Sequence, residues 1–168
     1  MPTLADRVRV IKLMLIASVG VRYMDHLVCV DAEAKELERL LAGHKTIIIR
    51  GSDEKTTPYG KVSEGDTLYF ITTKREGVVR AKASVKSVLN SQKLDEKESM
   101  ELINRHMMEL MLTEKQLDRY YGKPYLVLVR ISSVTRLQPC MIKFSIIDKM
   151  TDWLVIEDID KIRRQILM

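Results

Sequence analysis

The alternation of apolar and polar positions divides the chain into strands, helices and turns before any other property is considered. Leu27 to Val30 is a short apolar run rich in β-branched residues and predicts a first strand. Asp31 is placed to cap a helix through Leu41, because Ala34, Leu37 and Leu41 recur at helical spacing and Gly43 follows them. Lys45 to Arg50 then reads as a buried strand, and Gly51 to Ser63, with Asp53, Pro58 and Gly60, as a loop. Glu64-Gly65-Asp66 signals a turn before a strand from Thr67 to Thr72. Lys74-Arg75-Glu76-Gly77 turns the chain into a long extended segment, Val78 to Leu89. There Val79, Ala81, Ala83 and Val85 share one face, and Arg80, Lys82, Ser84 and Lys86 the other.

Between Asp95 and Tyr121 the period becomes helical, with Met100, Ile103, Met107, Leu110 and Met111 forming an apolar stripe. Thr113-Glu114-Lys115-Gln116 is a capping box, so a new helix starts there and stops at Gly122, before Pro124. Core packing accounts for the methionines better than an adaptable binding groove does. Tyr125 to Val134 and Ile142 to Ile147 read as further strands, and a last helix runs from Glu157 to Ile166. Parallel βαβ alternation would need a helix after nearly every strand, and this order lacks them. The pattern predicts an α+β fold: a mixed, mostly antiparallel β-barrel with flanking helices and a helical insertion.

Composition narrows the function classes. The net charge of +5 is compatible with a polyanionic partner, but no dense Lys/Arg block is present. An aromatic content of 5%, with two Phe and one Trp, argues against a broad base-stacking platform. Cys29 and Cys140 lie in apolar settings far apart, which points to two buried thiols in a reducing cytoplasm. His26, His44 and His106 have no metal-ligand spacing, so neither a metal nor another cofactor is expected.

Arg7, Arg9 and Lys12 precede an apolar run from Leu13 to Val21, superficially the order of a signal peptide. The run is interrupted by Gly20, lacks a convincing cleavage site before Arg22, and is too short to span a bilayer. Residues 1–23 are therefore read as an extension through which the chain could pair with a second copy. Residues 24–168 form the domain, with no membrane association expected.

The junction Gly43-His44-Lys45-Thr46-Ile47-Ile48-Ile49-Arg50 carries the candidate chemistry. Strand side chains alternate, so Lys45 and Arg50 share a face only if a bulge intervenes or Lys45 belongs to the turn. Lys45 offers a point charge for phosphate, and Arg50 a forked, bidentate contact. The competing readings are a solvated turn lysine and a structural salt bridge from Arg50 to Asp66 or Glu64. Positive charge follows the presumed barrel. Arg50 to Leu89 nets +3 and Gly122 to Lys149 nets +4, whereas Asn90 to Tyr121 nets −2.

A helix, Leu-Ala-Gly-His-Lys-Thr, a strand, a loop and a Glu-Gly-Asp turn together resemble the ASCH domains of the PUA-like superfamily, from His26 to about Lys161. Lys123-Pro124-Tyr125, entering a late strand, extends the resemblance. Gly43, Lys45 and Arg50 match the family's Gly-x-Lys-x-x-Glu-x-Arg pattern, while its acidic position falls on Ile48. The resemblance implies a barrel cleft that binds RNA or a nucleotide-like ligand, with Gly43, Lys45, Arg50, Lys74, Arg75 and Lys123 as binding residues. In related amidohydrolases that deacetylate acetylcytidine, the lysine works with a threonine three residues on and a glutamate from the helical insertion; other relatives are ribonucleases. Carried over, those roles would fall on Lys45 and Glu109, but the threonine position is Ile48, which offers no nucleophilic oxygen. Binding is thus favoured over hydrolysis.

Overall fold

The computed structural model describes residues 1–19, 22–72 and 76–164. Helix α1 (Leu4–Val19) is followed by β1 (Asp25–Cys29), α2 (Glu36–Leu41), β2 (Ile47–Ser52), β3 (Thr67–Ile71) and the long β4 (Val78–Asn90). The helical insertion is α3 (Glu96–Arg105), α4 (Met107–Leu110) and α5 (Glu114–Tyr120). β5 (Tyr125–Ile131), β6 (Thr135–Met141), α6 (Phe144–Ile147), β7 (Trp153–Ile156) and a 3-10 turn at Ile159–Lys161 complete the described chain. The strands form one mixed sheet in the order β2-β5-β4-β3-β1-β7, with β6 paired to β4. Among the described residues only β1 and β3 run parallel; the other pairings are antiparallel. β4 pairs with β3 and β6 through its first half and with β5 through its second, and its register slips at Val79/Ala81 and Val85/Ser87. Such bulges bend a strand and raise its twist, which curls the sheet into a half-barrel. This is the α+β barrel with flanking helices and a helical insertion that the pattern predicts.

The triple-isoleucine run of β2 is apolar throughout because both of its faces are covered. Ile48 points into the barrel with Val28, Leu40, Phe70, Val129 and Trp153. Ile47 and Ile49 point outward against Leu102, Ile103, Leu110 and Tyr120 of the insertion. The insertion itself is fixed by two capping boxes, Asp95 with Glu98 and Thr113 with Gln116. A third apolar cluster, including Leu27, Ile71, Ile147, Ile156 and Ile159, seals the outer face of β1 and β3.

Three expectations are corrected. The helix after Asp31 begins only at Glu36: Asp31 accepts from the Ala34 amide at 3.0 Å, and Lys35 then takes a left-handed conformation (φ 51). Ile142 to Ile147 is not a strand; it ends in α6, and the strand at that point is β6, immediately upstream. Pro139 and the polar residues of β6 resemble a loop in sequence but suit a strand exposed along most of its length and paired to β4 at one edge. Trp153 to Ile156 is a strand, completing the β1 edge. The expected terminal helix is a single 3-10 turn within the described residues, with Ile156, Ile159 and Ile162 three apart and all buried. Its expected last residues lie outside those described.

Candidate functional site

The half-barrel has an open seam between its first strand in order, β2, and the β1–β7 end, and Arg50 bridges it. Helix α2 ends in a Schellman motif: Gly43 at φ 77 donates to the Leu40 carbonyl and His44 to the Arg39 carbonyl, each at 3.1 Å. This reversal leaves Lys45 in the turn and starts β2 at Ile47, which resolves the spacing of the two cations. Ile48 and Arg50 share the inward face of β2, and Arg50 reaches across the gap. Its Nη2 donates to the Cys29 carbonyl of β1 at 2.6 Å and its Nη1 to the Ile49 carbonyl at 2.8 Å. Its Nε faces Asp152 Oδ2 at 2.9 Å, and the guanidinium lies 5.5 Å from the centre of the Trp153 ring. The partner is thus Asp152, rather than the Asp66 or Glu64 read from sequence. Burial works against the Arg50 charge, but Tyr120, Glu36 and Asp152 outweigh it and raise its pKa.

Asp66 serves another network. Its carboxylate accepts from the Met24 and Ser63 amides, each at 3.0 Å, and faces His26 Nε2 at 2.8 Å. Trp153 Nε1 donates to His26 Nδ1 at 3.1 Å, so the imidazole proton sits on Nε2 and points at Asp66. All three side chains are buried, and this chain of bonds fixes the Trp153 ring beneath Arg50.

Lys45 is not a solvated turn lysine; it is only 2% exposed. Its Nζ donates to the Leu110 carbonyl at the end of α4 and lies 3.7 Å from Glu36 Oε1. Burial lowers its pKa to about 8, with the Glu36 carboxylate acting in the opposite direction. Glu109 does not meet Lys45 through its side chain. Its carboxylate is held by Arg130 and by His106, 3.5 Å away, and the Arg130 hydrogen bond above all lowers its pKa. Lys123 lies outside the seam and pairs with Asp53 at 3.4 Å. Lys74 and Arg75 lie outside the described residues.

Two cavities flank the Arg50–Asp152 pair. The larger, about 430 Å³, is lined by Asp31, Glu33, Glu36 and Asp152 against Arg50 and Arg119, with Gln116, Tyr120, Cys29 and Thr72. The smaller, about 80 Å³, lies between Arg50 and the loop after β2, lined by Ser52, Thr56, Thr57, Tyr59 and Tyr125. The seam is therefore mixed in sign, not uniformly basic. Lys55 sits 5.5 and 5.7 Å from the centres of the Tyr59 and Tyr125 rings at the same loop. Sequence reasoning missed Glu36, Arg119, Gln116, Tyr120 and Asp152 as cleft residues. The capping box marked Gln116, and Asp152 adjoins the single Trp, but neither signal says that the residue faces a cavity. Among the described residues no cluster of His, Cys, Asp or Glu is arranged to hold a metal.

No protein-family model matches the sequence, and no curated protein matches it significantly. Solved structures do. A point-mutant ASCH protein from Zymomonas mobilis superposes with a TM-score of 0.58 at 13% identity, over 82% of this chain and 93% of the other. A second crystal structure of ASCH from Zymomonas mobilis gives 0.53 at 16% identity, over 76% and 82%. The chain has the ASCH-domain fold. In this ASCH-fold domain, Gly43, Lys45 and Arg50 occupy the helix-to-strand junction that the sequence resemblance singled out. Gly43 makes the turn, Lys45 ties α2 to α4, and Arg50 alone of the three lines the cavities.

Proposed function

We propose that this ASCH-fold domain is an RNA- or nucleotide-binding module whose ligand enters the seam beside Arg50. The observation that carries the reading is the 430 Å³ cavity built around a guanidinium that main-chain carbonyls hold in place. That volume lies within the range of about 300–1,000 Å³ common to small-ligand pockets. Tyr120 forms part of the wall, and Gln116 and the carboxylates offer donors and acceptors for a base edge or ribose. Arg50 supplies the contact to phosphate.

Four carboxylates beside two arginines would repel a long phosphate backbone, so the module takes one or two nucleotides rather than tracking a strand. Filter binding of short oligoribonucleotides across ionic strength tests this. The expected slope of log K against log salt is about −1, the value for one or two phosphates. Absence of binding at low ionic strength would sink the reading.

A second reading, hydrolysis of a modified nucleoside, draws support from the Lys45–Glu36 pair, because a lysine with a pKa near 8 is suited to proton transfer. Against it, Ile48 is fully buried in the core, and Lys45 is shielded from the cavity that Glu36 lines. Acetate release from acetylcytidine, abolished in Glu36→Gln, would favour this reading over binding alone.

A further inference from the structure

We infer that the Nε edge of Arg50 is an anion subsite for the phosphate monoester of a nucleotide, with Asp152 as an internal carboxylate that the phosphate displaces. The inference rests on the nucleotide-binding reading and adds to it which group of the ligand goes where, and what must leave.

Arg50 does not need Asp152 to hold its position. The carbonyls of Cys29 and Ile49 fix the guanidinium from two sides, and Trp153 supports it from below. The contact to Asp152 is close but poorly aligned: Oδ2 lies 2.9 Å from Nε, yet off the line of the N–H, so Nε makes no hydrogen bond. A buried donor left without an aligned acceptor favours any ligand that supplies one.

The two partners also differ in freedom. The Arg50 side chain is 11% exposed, whereas that of Asp152 is 55% exposed and can turn to water without desolvation. Both cavities border this pair, so the displaced carboxylate vacates the one point where they meet. The larger cavity has room for a nucleoside, and the smaller admits a phosphate-sized group but no base. The hydroxyl-bearing Ser52, Thr56 and Thr57 line the smaller one and can donate to phosphate oxygens. A bound nucleotide would thus lie across the seam, base toward Tyr120 and phosphate toward Thr56.

Isothermal titration of the full chain with the four ribonucleoside 5′-monophosphates and the four matching nucleosides tests the inference. The readout is the ratio of monophosphate to nucleoside affinity. Asp152→Asn keeps the side chain's shape and removes its charge, and is expected to raise that ratio about tenfold by lifting like-charge repulsion. Arg50→Lys, which cannot hold both carbonyls and the phosphate, is expected to bring the ratio close to one. Nucleoside binding with an unchanged ratio in Asp152→Asn overturns the displacement while leaving the nucleotide site standing. Binding of none of the eight probes, by the native chain or by Asp152→Asn, overturns both.

Discussion

Lys45 is a buried cation and Arg50 a half-buried one at the same helix-to-strand junction, and they differ in what they can do. Arg50 keeps its charge and faces two cavities. Lys45 spends its charge inside the protein, on the Leu110 carbonyl and Glu36. Its folded pKa of about 8 lies below the ordinary 10.5, so the unfolded chain binds the extra proton between those values. Stability is therefore expected to rise as pH climbs from about 8 to about 10.5, by on the order of 3 kcal/mol from this group. Lys45→Met should flatten that rise in denaturant titrations across the window, while lowering stability at pH 7 by removing the cation beside Glu36 and the donor to the Leu110 carbonyl. Gly43, at φ 77 with open space around a would-be Cβ, tests the turn alone. Gly43→Ala is expected to cost about 1 kcal/mol, from backbone strain rather than a clash.

At the scale of elements, β1, β7 and the turn before β3 are joined by the Asp66–His26–Trp153 chain of hydrogen bonds. Trp153→Phe keeps an aromatic six-membered ring but removes the pyrrole part with its N–H, leaving His26 Nδ1 buried without its donor and a small void in the core. A loss of about 1–3 kcal/mol is expected in chemical denaturation. Helix α1 is the opposite case. Leu4, Val8, Val10, Ile11, Leu13 and Met14 are all exposed. Deleting residues 1–19 should leave the melting temperature of the domain unchanged.

Elements whose periodicity was regular were legible in the sequence: β3, β4, α3 and α5 fall where alternation and capping boxes place them. β6 and β7 were not, because a mostly exposed strand containing Pro139 carries no hydrophobic alternation and β7 spans four residues. The junction was legible through Gly43. The cleft was not, since Asp152 is distant in sequence and meets Arg50 only because β7 pairs with β1.

For the molecule as a whole, the proposed ligand site lies at the seam of an incompletely closed barrel. Closing a sheet removes its edges; leaving it open exposes inward-facing side chains to a ligand. Here the gap is spanned by one arginine, with cavities on either side of it. Heteronuclear NMR with short oligoribonucleotides tests this most directly. Amide shifts upon titration are expected to concentrate at Arg50, Gly51, Thr56, Tyr59, Arg119, Tyr120 and Asp152, and to weaken in Arg50→Lys. Shifts confined to the basic outer face of β4, around Lys82 and Lys86, would contradict this.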